Sequence, residues 1–161
     1  METQLSKEIG QLLSERGETL STAESCTGGL IGHRITVIPG SSAYYKGGVI
    51  SYSNEIKERV LGVRGETLRQ YGAVSEAVVK QMAEGVRLLM DTDYGVATSG
   101  VAGPGGGTPE KPVGTVWIAV ATHEVTTAKC LHLNGDRLNN IRGSAEGVLE
   151  LLKEVLEVKK R

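Results

Sequence analysis

The chain has 161 residues, a formal net charge of −1 and no phenylalanine, and 39% of its residues are hydrophobic. These values are ordinary for a soluble globule, so we expect one domain over residues 1–161 with an aliphatic core. A chain without excess positive charge offers a polyanion no electrostatic anchor, which argues against nucleic acid as a partner.

The first half of the chain alternates between predicted helices and predicted strands. Leucine and isoleucine recur at helical spacing over 3–16, and Gly17 ends that helix. The next segments are a Thr-rich strand, a helix, a Pro-Gly-Ser turn, a second strand and a short helix, at 18–23, 28–37, 39–42, 44–52 and 55–61. Ser53-Asn54 supplies the N-cap chemistry of the short helix.

The second half contains a strong helix, a glycine-rich loop and a hairpin. The predicted elements are helical turns at 65–71, a helix at 76–91 capped by Ser75, a buried strand at 94–98, a loop at 99–107, strands at 113–122 and 125–133 joined at His123-Glu124, and a helix at about 138–158. Strands that alternate with helices indicate parallel pairing, and the hairpin adds an antiparallel pair. We therefore predict an α/β fold, a three-layer α/β/α sandwich around a mixed, mostly parallel sheet.

The segment 23–29 (AESCTGG) connects a predicted strand to the predicted helix that follows it. Ligands of open α/β sheets bind at such carboxyl ends of strands. Free backbone N–H groups and the helix dipole would favour negative charge on Ser25 or on an oxyanion beside it. Two alternatives stay open: Ser25 and Thr27 cap the helix, or Cys26 is the nucleophile. Because adjacent side chains of an extended segment point opposite ways, only one of Ser25 and Cys26 should face the site.

Lys57 follows the second predicted strand, in the segment YSNEIK at 52–57. If Asn54 is the N-cap, Lys57 falls in the first helical turn, where the dipole disfavours a cation and lowers the lysine pKa. Burial would act in the same direction. A partly neutral lysine can remove a proton from a serine hydroxyl. The alternative is an exposed helix lysine that pairs with Glu55 or Glu58.

Two further segments are candidates for binding an anion. The glycine-rich run after the buried strand, which includes Gly100, Ala102 and Gly103, lets the backbone approach a ligand and can form a nest of N–H groups. Arg137, in the segment Gly135-Asp136-Arg137, could hold a phosphate or carboxylate bidentately. The alternatives are a flexible surface loop and an Asp136 helix cap with Arg137 paired to it or in solvent.

The remaining reactive side chains give no metal signal. The two cysteines, Cys26 and Cys130, and the three histidines have no metal-ligand spacing. No apolar run approaches the roughly 18 residues of a membrane span, and the polar start is unlike a signal peptide. We expect a cytoplasmic protein with no metal, no cofactor and no contact with a membrane.

Taken together, the motifs AESCTGG, YSNEIK, GAVSE, SGVAGPGGGTPEKPVGTVW and GDR, in this order, resemble the C-terminal domain of the competence-damage-inducible protein family, CinA. The resemblance covers nearly the whole chain and implies a three-layer α/β/α fold. It implies hydrolysis of the carboxamide of nicotinamide mononucleotide to nicotinic acid mononucleotide and ammonia. Ser25 matches the family's catalytic serine and Lys57 its catalytic lysine. The molybdopterin-binding-like domain that many members carry is not expected in these residues.

The resemblance, added to the residues themselves, gives a set of expected substrate contacts. They are Cys26, Thr27, Gly28, Tyr52, Asn54, Gly100, Ala102, Gly103 and Arg137. Tyr52 and Asn54 would orient Lys57 or touch the substrate, while Arg137 and the glycine-rich loop would hold the nucleotide phosphate. The alternative is a nucleotide-binding or regulatory module without turnover, since glycine-rich loops bind phosphate whether or not chemistry follows. The wide apolar arc of the last helix, with Leu149, Leu151 and Leu152, predicts a homodimer or a larger homo-oligomer.

Overall fold

A computed structural model describes residues 3–159 of the chain. Its elements, in chain order, are α1 (Gln4–Arg16), β1 (Leu20–Glu24), α2 (Leu30–Thr36), a 3-10 turn (Ser41–Ala43), β2 (Tyr45–Ile50), α3 (Asn54–Arg59), α4 (Gly65–Tyr71), α5 (Glu76–Met90), β3 (Tyr94–Gly100), β4 (Thr115–Ala121), β5 (Thr126–His132) and α6 (Arg137–Lys159). Each predicted helix and strand is present, with bounds that differ by a few residues.

The five strands form one mixed sheet in the order β2-β1-β3-β4-β5. β1 pairs parallel with β2 and with β3, while β4 pairs antiparallel with β3 and with β5. The β4–β5 connection is the predicted tight turn, closed by a 2.8 Å hydrogen bond from the Thr122 N–H to the Val125 carbonyl. As a result, β1, β2 and β3 all present their carboxyl ends at the same edge of the sheet.

Helices cover both faces of the sheet, which confirms the predicted three layers. Alternation along β4 sends Val116, Ile118 and Val120 into the core under α1, α2 and α6, and it sends Ala119 and Ala121 towards α5. The α5 face carries small residues because the helix lies very close to the sheet: a Cβ on Gly95 would stand 2.3 Å from the Ala83 carbonyl oxygen.

The start of α2 differs from its prediction. We expected a helix over 28–37, but Gly28 and Gly29 have φ of +57° and +105°, so the helix begins only at Leu30. These left-handed conformations are open to glycine and costly for most other residues. The glycines therefore turn the chain between Ser25 and α2.

The apolar arc of α6 is buried within the chain itself. Leu149, Leu151 and Leu152 all belong to the core between α6 and the sheet. Packing within the chain therefore accounts for these three leucines, and the oligomeric state stays a prediction. In the part of the chain that the structure describes, no helix combines the length and the apolar character needed to span a membrane.

Candidate active site

A cavity of about 320 Å³ lies at the carboxyl ends of β1, β2 and β3. This volume is at the lower end of the range for small-molecule sites, roughly 300–1,000 Å³. Its lining comes from the last residues of β3, from the segments that follow the three strands, from the α4–α5 connection and from the first residue of α6. These residues are Ser25, Cys26, Tyr52, Asn54, Lys57, Ala73, Val74, Ser99, Gly100, Val101, Ala102, Gly103, Gly105, Gly106 and Arg137.

Ser25 and Lys57 meet in this cavity. The Lys57 Nζ lies 3.0 Å from the Ser25 Oγ and donates a 2.8 Å hydrogen bond to the Ser51 carbonyl. Ser25 is 9% exposed and Lys57 is 1% exposed. Among the described residues no carboxylate forms an ion pair with the Lys57 ammonium. The pair therefore has the contact that a serine nucleophile and its general base require.

Burial lowers the pKa of Lys57, because the apolar surroundings penalise the ammonium more than the amine. The prediction that the helix dipole also lowers the Lys57 pKa is wrong. Ser53, rather than Asn54, is the N-cap of α3, and its Oγ accepts the Ile56 N–H at 3.2 Å. Lys57 consequently lies in the last turn of this six-residue helix, where the dipole favours a cation.

Cys26 also lines the cavity, which corrects the prediction that only one of the two neighbours would face it. The reason is that residues 25–29 form a turn rather than an extended segment. Burial raises the pKa of the Cys26 thiol to about 11, so the thiol stays protonated at neutral pH. The Lys57 amine forms a hydrogen bond with the Ser25 hydroxyl, and in the described residues it forms none with the Cys26 thiol, so the geometry favours Ser25 as the candidate nucleophile.

Glu24 holds the turn that carries Ser25. Its carboxylate, 2% exposed, accepts hydrogen bonds of 2.6–3.0 Å from the Thr27 hydroxyl and from the N–H groups of Gly29, Ile31 and Gly32. The predicted use of the α2 N-terminus for an oxyanion is therefore wrong, because a carboxylate already occupies these donors. The alternative in which Ser25 and Thr27 cap the helix is wrong as well: the N-cap is Gly29, without a side-chain cap bond.

The glycine-rich loop lines the cavity and contains several backbone N–H groups that could bind a ligand. Within the described residues, no protein acceptor takes the N–H groups of Ala102, Gly103, Gly105 and Gly106. Gly103 and Gly106 both have φ of +88°, and a Cβ on Gly103 would stand 2.4 Å from the Val113 side chain. Successive free N–H groups of this kind can stabilise an anion.

Arg137 lies across the mouth of the cavity, at the start of α6. Its guanidinium donates to the Gly103 carbonyl at 2.8 Å and to the Tyr52 hydroxyl at 3.1 Å. Asp136 caps α6, since its Oδ1 accepts the Asn139 N–H at 2.9 Å. The predicted cap is thus present, and Arg137 is directed at the cavity instead of at Asp136. Two of the five guanidinium donors account for these bonds, which leaves others for a ligand.

Of the predicted substrate contacts, Thr27 and Gly28 do not line the cavity. The Thr27 hydroxyl is used by Glu24 and by Thr98, and Gly28 lies in the turn before α2 with a φ of +57°. Sequence reasoning missed the residues that hold the site together: Glu24, Ser51 and Asn140. Their signal is weak, because a buried Glu, Ser or Asn cannot be distinguished from an exposed one until the strands are paired.

Neither a metal-binding cluster nor a second groove offers a competing centre in the described residues. Within residues 3–159 no group of three or more His, Cys, Asp and Glu side chains is placed to hold a metal ion. A wider groove of about 620 Å³ lies between α5 and residues 59–64, but no serine or cysteine lines it. The nucleophile and its buried base are found only in the cavity at the strand ends, as far as the described residues show.

Comparison with known proteins connects this cavity to one family. The family model of the CinA C-terminal domain matches residues 2–156. A CinA-like protein of Amoebophilus asiaticus is 49% identical over 151 residues, which are 94% of this chain and 36% of that protein. The chain spans only 34–36% of the length of the first three curated relatives.

Solved structures agree with this match. The competence/damage inducible protein CihA of Agrobacterium tumefaciens superposes with a TM-score of 0.93 at 38% identity, over 96% of this chain and 94% of that one. The competence damage-inducible protein A (ComA) of Klebsiella pneumoniae also gives 0.93, at 39% identity over 96% of both chains. The chain belongs to the CinA C-terminal domain family.

Proposed function

We propose that the chain hydrolyses the carboxamide of nicotinamide mononucleotide to nicotinic acid mononucleotide and ammonia, through an acyl-enzyme on Ser25. The observation that carries this proposal is the 3.0 Å contact between Lys57 Nζ and Ser25 Oγ inside the cavity. Family membership supports the choice of substrate, because the motifs around both residues are those that resemble the family's deamidases.

The first half-reaction forms the acyl-enzyme. The neutral Lys57 amine removes the hydroxyl proton as Ser25 Oγ attacks the amide carbon, and the carbonyl becomes a tetrahedral oxyanion. The C–N bond then breaks, and the Lys57 ammonium gives its proton to the departing nitrogen, which leaves as ammonia. In the second half-reaction Lys57 takes a proton from water, the hydroxide oxygen attacks the acyl carbon, and Ser25 Oγ leaves with that proton.

The surroundings of Lys57 suit both of its roles. The Ser51 carbonyl accepts a hydrogen bond from Lys57 Nζ at 2.8 Å. This bond fixes the position of the amine, and an uncharged carbonyl does not hold it in the ammonium form as a carboxylate would. Burial favours the neutral form that must act as base. The same low-polarity surroundings make the ammonium a stronger acid than that of an exposed lysine, which favours return of the proton to the leaving group.

The two ends of the substrate need different partners. The oxyanion needs fixed donors, which the free N–H groups of Ala102 and Gly103 can supply. The phosphate needs an anion site at the cavity mouth, where Arg137 lies beside exposed Tyr52 and Asn54. In this arrangement Arg137 and the N–H groups of Gly105 and Gly106 would hold the phosphate.

The competing proposal is a binding or regulatory module that keeps the cavity without turnover. The names of several relatives refer to competence and damage rather than to an amide. Calorimetry with the mononucleotide, together with an ammonia assay on the same sample, separates the two. Binding with ammonia release supports the amidase, and binding without it supports the module. If other amides in a panel are cleaved and the mononucleotide is not, the chain is an amidase of different specificity.

A further inference from the structure

A buried asparagine on α6 is fastened to the loop that lines the cavity. Asn140 is 1% exposed. Its Nδ2 donates to the Ala102 carbonyl at 3.0 Å and to the Gly135 carbonyl at 2.9 Å, and its Oδ1 accepts the Gly135 N–H at 2.9 Å. Both amide protons and the amide oxygen are therefore used, which fixes the orientation of the side chain.

These three hydrogen bonds, here called the Asn140 clamp, determine the orientation of the peptide group between Ala102 and Gly103. The C=O and N–H of a trans peptide point in opposite directions, and the Ala102–Gly103 peptide is trans. Since Asn140 holds the Ala102 carbonyl, the Gly103 N–H points away from α6. Arg137, one turn earlier on the same helix, holds the next carbonyl, that of Gly103, at 2.8 Å. Two successive carbonyls thus face α6, a geometry that the φ of +88° at Gly103 makes possible.

We infer that Asn140 is a positioning residue that aims the Gly103 N–H at the oxyanion of the reaction. The inference rests on the proposed function, because it concerns the carbonyl oxygen of the same substrate. Three observations support it: Gly103 lines the cavity, its N–H has no protein acceptor among the described residues, and the asparagine that orients its peptide is completely buried. Asn140 itself does not line the cavity and acts only through the loop.

The chemical consequence of losing the clamp is specific. In Asn140→Asp a carboxylate oxygen replaces the donor and repels the Ala102 carbonyl, so the peptide can rotate and withdraw the Gly103 N–H. Loss of one oxyanion donor typically lowers kcat by about 10²–10³-fold. The KM should change little, because the charge that this donor stabilises develops only in the transition state.

The test compares Asn140→Asp and Asn140→Ala with the control Thr92→Val. Thr92 is a buried hydroxyl at the amino end of β3, bonded to Ser21 and to the Tyr94 carbonyl, so its loss also breaks buried hydrogen bonds but far from the cavity. Steady-state kinetics with nicotinamide mononucleotide should show a kcat lower by about 10²-fold in the Asn140 variants, at nearly unchanged KM. Equal losses in Thr92→Val at a matched melting temperature would mean that Asn140 has only a structural role.

A second probe does not depend on amide turnover. Pyridine-3-boronic acid should form a tetrahedral adduct in which Ser25 Oγ bonds to boron, Lys57 takes the hydroxyl proton and a boron-bound oxygen occupies the oxyanion position. Boron NMR should show the adduct in the wild type and an affinity at least about tenfold weaker in Asn140→Asp, because transition-state analogues need the same donors. If the wild type forms the adduct yet releases no ammonia from the mononucleotide, the proposed substrate fails while the inference about Asn140 stands.

A measurement on the wild type alone covers the case in which both Asn140 variants fail to fold. The Gly103 amide proton should exchange more slowly once the boronic acid adduct forms, since it then donates to the boron-bound oxygen. Unchanged exchange at Gly103, or no adduct with the wild-type protein, would overturn the inference.

Discussion

Lys57 and Ser25 are 32 positions apart in sequence, yet their functional atoms lie 3.0 Å apart. The sheet explains the contact: Ser25 directly follows β1, Lys57 lies on α3, the short helix that follows β2, and the two strands are parallel neighbours. Neighbouring strands are about 4.8 Å apart, so side chains just beyond their carboxyl ends reach one another without a long loop. The candidate nucleophile and its base thus both lie at the carboxyl ends of paired strands.

Replacing Ser25 should abolish turnover, whereas replacing Cys26 should not. Ser25→Ala removes the attacking oxygen, and we expect a loss in kcat of at least about 10³-fold, as is typical when a serine nucleophile is removed. The Cys26 thiol, with its pKa raised to about 11, is protonated at neutral pH and is not needed as a nucleophile. Ammonia release at pH 7.5 is the measurement.

The paired variant Cys26→Ala serves as the control for disturbing the same turn. It should keep activity within about tenfold of the wild type. Removing the buried sulfur weakens packing but takes away no atom that reacts in the proposed mechanism. If Cys26→Ala were inactive and Ser25→Ala active, the thiol would be the nucleophile and the proposed mechanism would be wrong.

The pH dependence of kcat/KM should report the Lys57 amine. Burial lowers its pKa, and only the neutral amine can accept the Ser25 proton. Activity should therefore rise with pH and level off above the pKa of the folded enzyme, which lies below the ordinary lysine value of about 10.4. Lys57→Met should remove this limb together with most of the activity. A rise that persists unchanged in Lys57→Met would exclude Lys57 as the base.

The same pKa shift links Lys57 to stability. The unfolded chain keeps the Lys57 proton up to a pH of about 10.4, while the folded chain loses it at lower pH. Unfolding therefore takes up a proton between the two values, and wild-type stability gains relative to Lys57→Met as pH rises through that window. We expect Lys57→Met to melt at a higher temperature than the wild type at pH 7, with the difference shrinking towards pH 10.4. If the difference in melting temperature stayed constant across that window, the pKa of Lys57 would not be lowered in the folded chain.

An external nucleophile should intercept the acyl-enzyme. Hydroxylamine can attack the acyl carbon in place of water, so reactions with the mononucleotide should yield its hydroxamate at the expense of the carboxylic acid. Mass spectrometry of the products measures the ratio, and Ser25→Ala provides the blank. Exclusive formation of the carboxylic acid at high hydroxylamine concentration would favour direct attack of water on the amide.

The fold could be predicted because its signals are local. Hydrophobic periodicity gave α1, α5 and α6, and the β4–β5 pair was indicated by two short apolar runs with a tight turn between them. The bounds of α2 were harder, since whether Gly28 and Gly29 belong to the helix depends on φ values that composition does not determine. The apolar arc of α6 was hard to interpret for a similar reason, because only the packed structure shows that Leu149, Leu151 and Leu152 are all covered.

The candidate site could be predicted only in part. Ser25 and Lys57 stand in unusual local sequence, and family resemblance connects them, but spacing alone does not bring them together. Glu24 and Asn140 gave no such signal, although each holds a segment that lines the cavity. Their roles depend on which backbone groups come within reach after folding, and that is a tertiary property.

The Glu24 carboxylate should contribute measurably to the free energy of unfolding. In Glu24→Gln the amide nitrogen would face a backbone N–H and the remaining bonds would lose their charge, so we expect the free energy of unfolding to fall by about 1–3 kcal/mol. Urea denaturation measures the change. The control is Glu55→Gln, which breaks an exposed pair with Arg59 on α3 and should cost less than about 1 kcal/mol. Similar small losses in both variants would show that the buried carboxylate does not hold the turn.

Arg137 should determine whether the phosphate of the substrate is recognised. A hydrogen bond to a charged group contributes roughly 1.5–3 kcal/mol, so Arg137→Ala should raise KM for the mononucleotide about 10- to 100-fold. Nicotinamide riboside lacks the phosphate, and its kcat/KM should be nearly the same in the variant and the wild type. Arg142→Ala, an exposed arginine on the same helix, is the matched control and should change neither substrate. Because Arg137 also holds the Gly103 carbonyl, a purely positioning role would instead lower kcat for both substrates equally, and that result would remove Arg137 from the phosphate site.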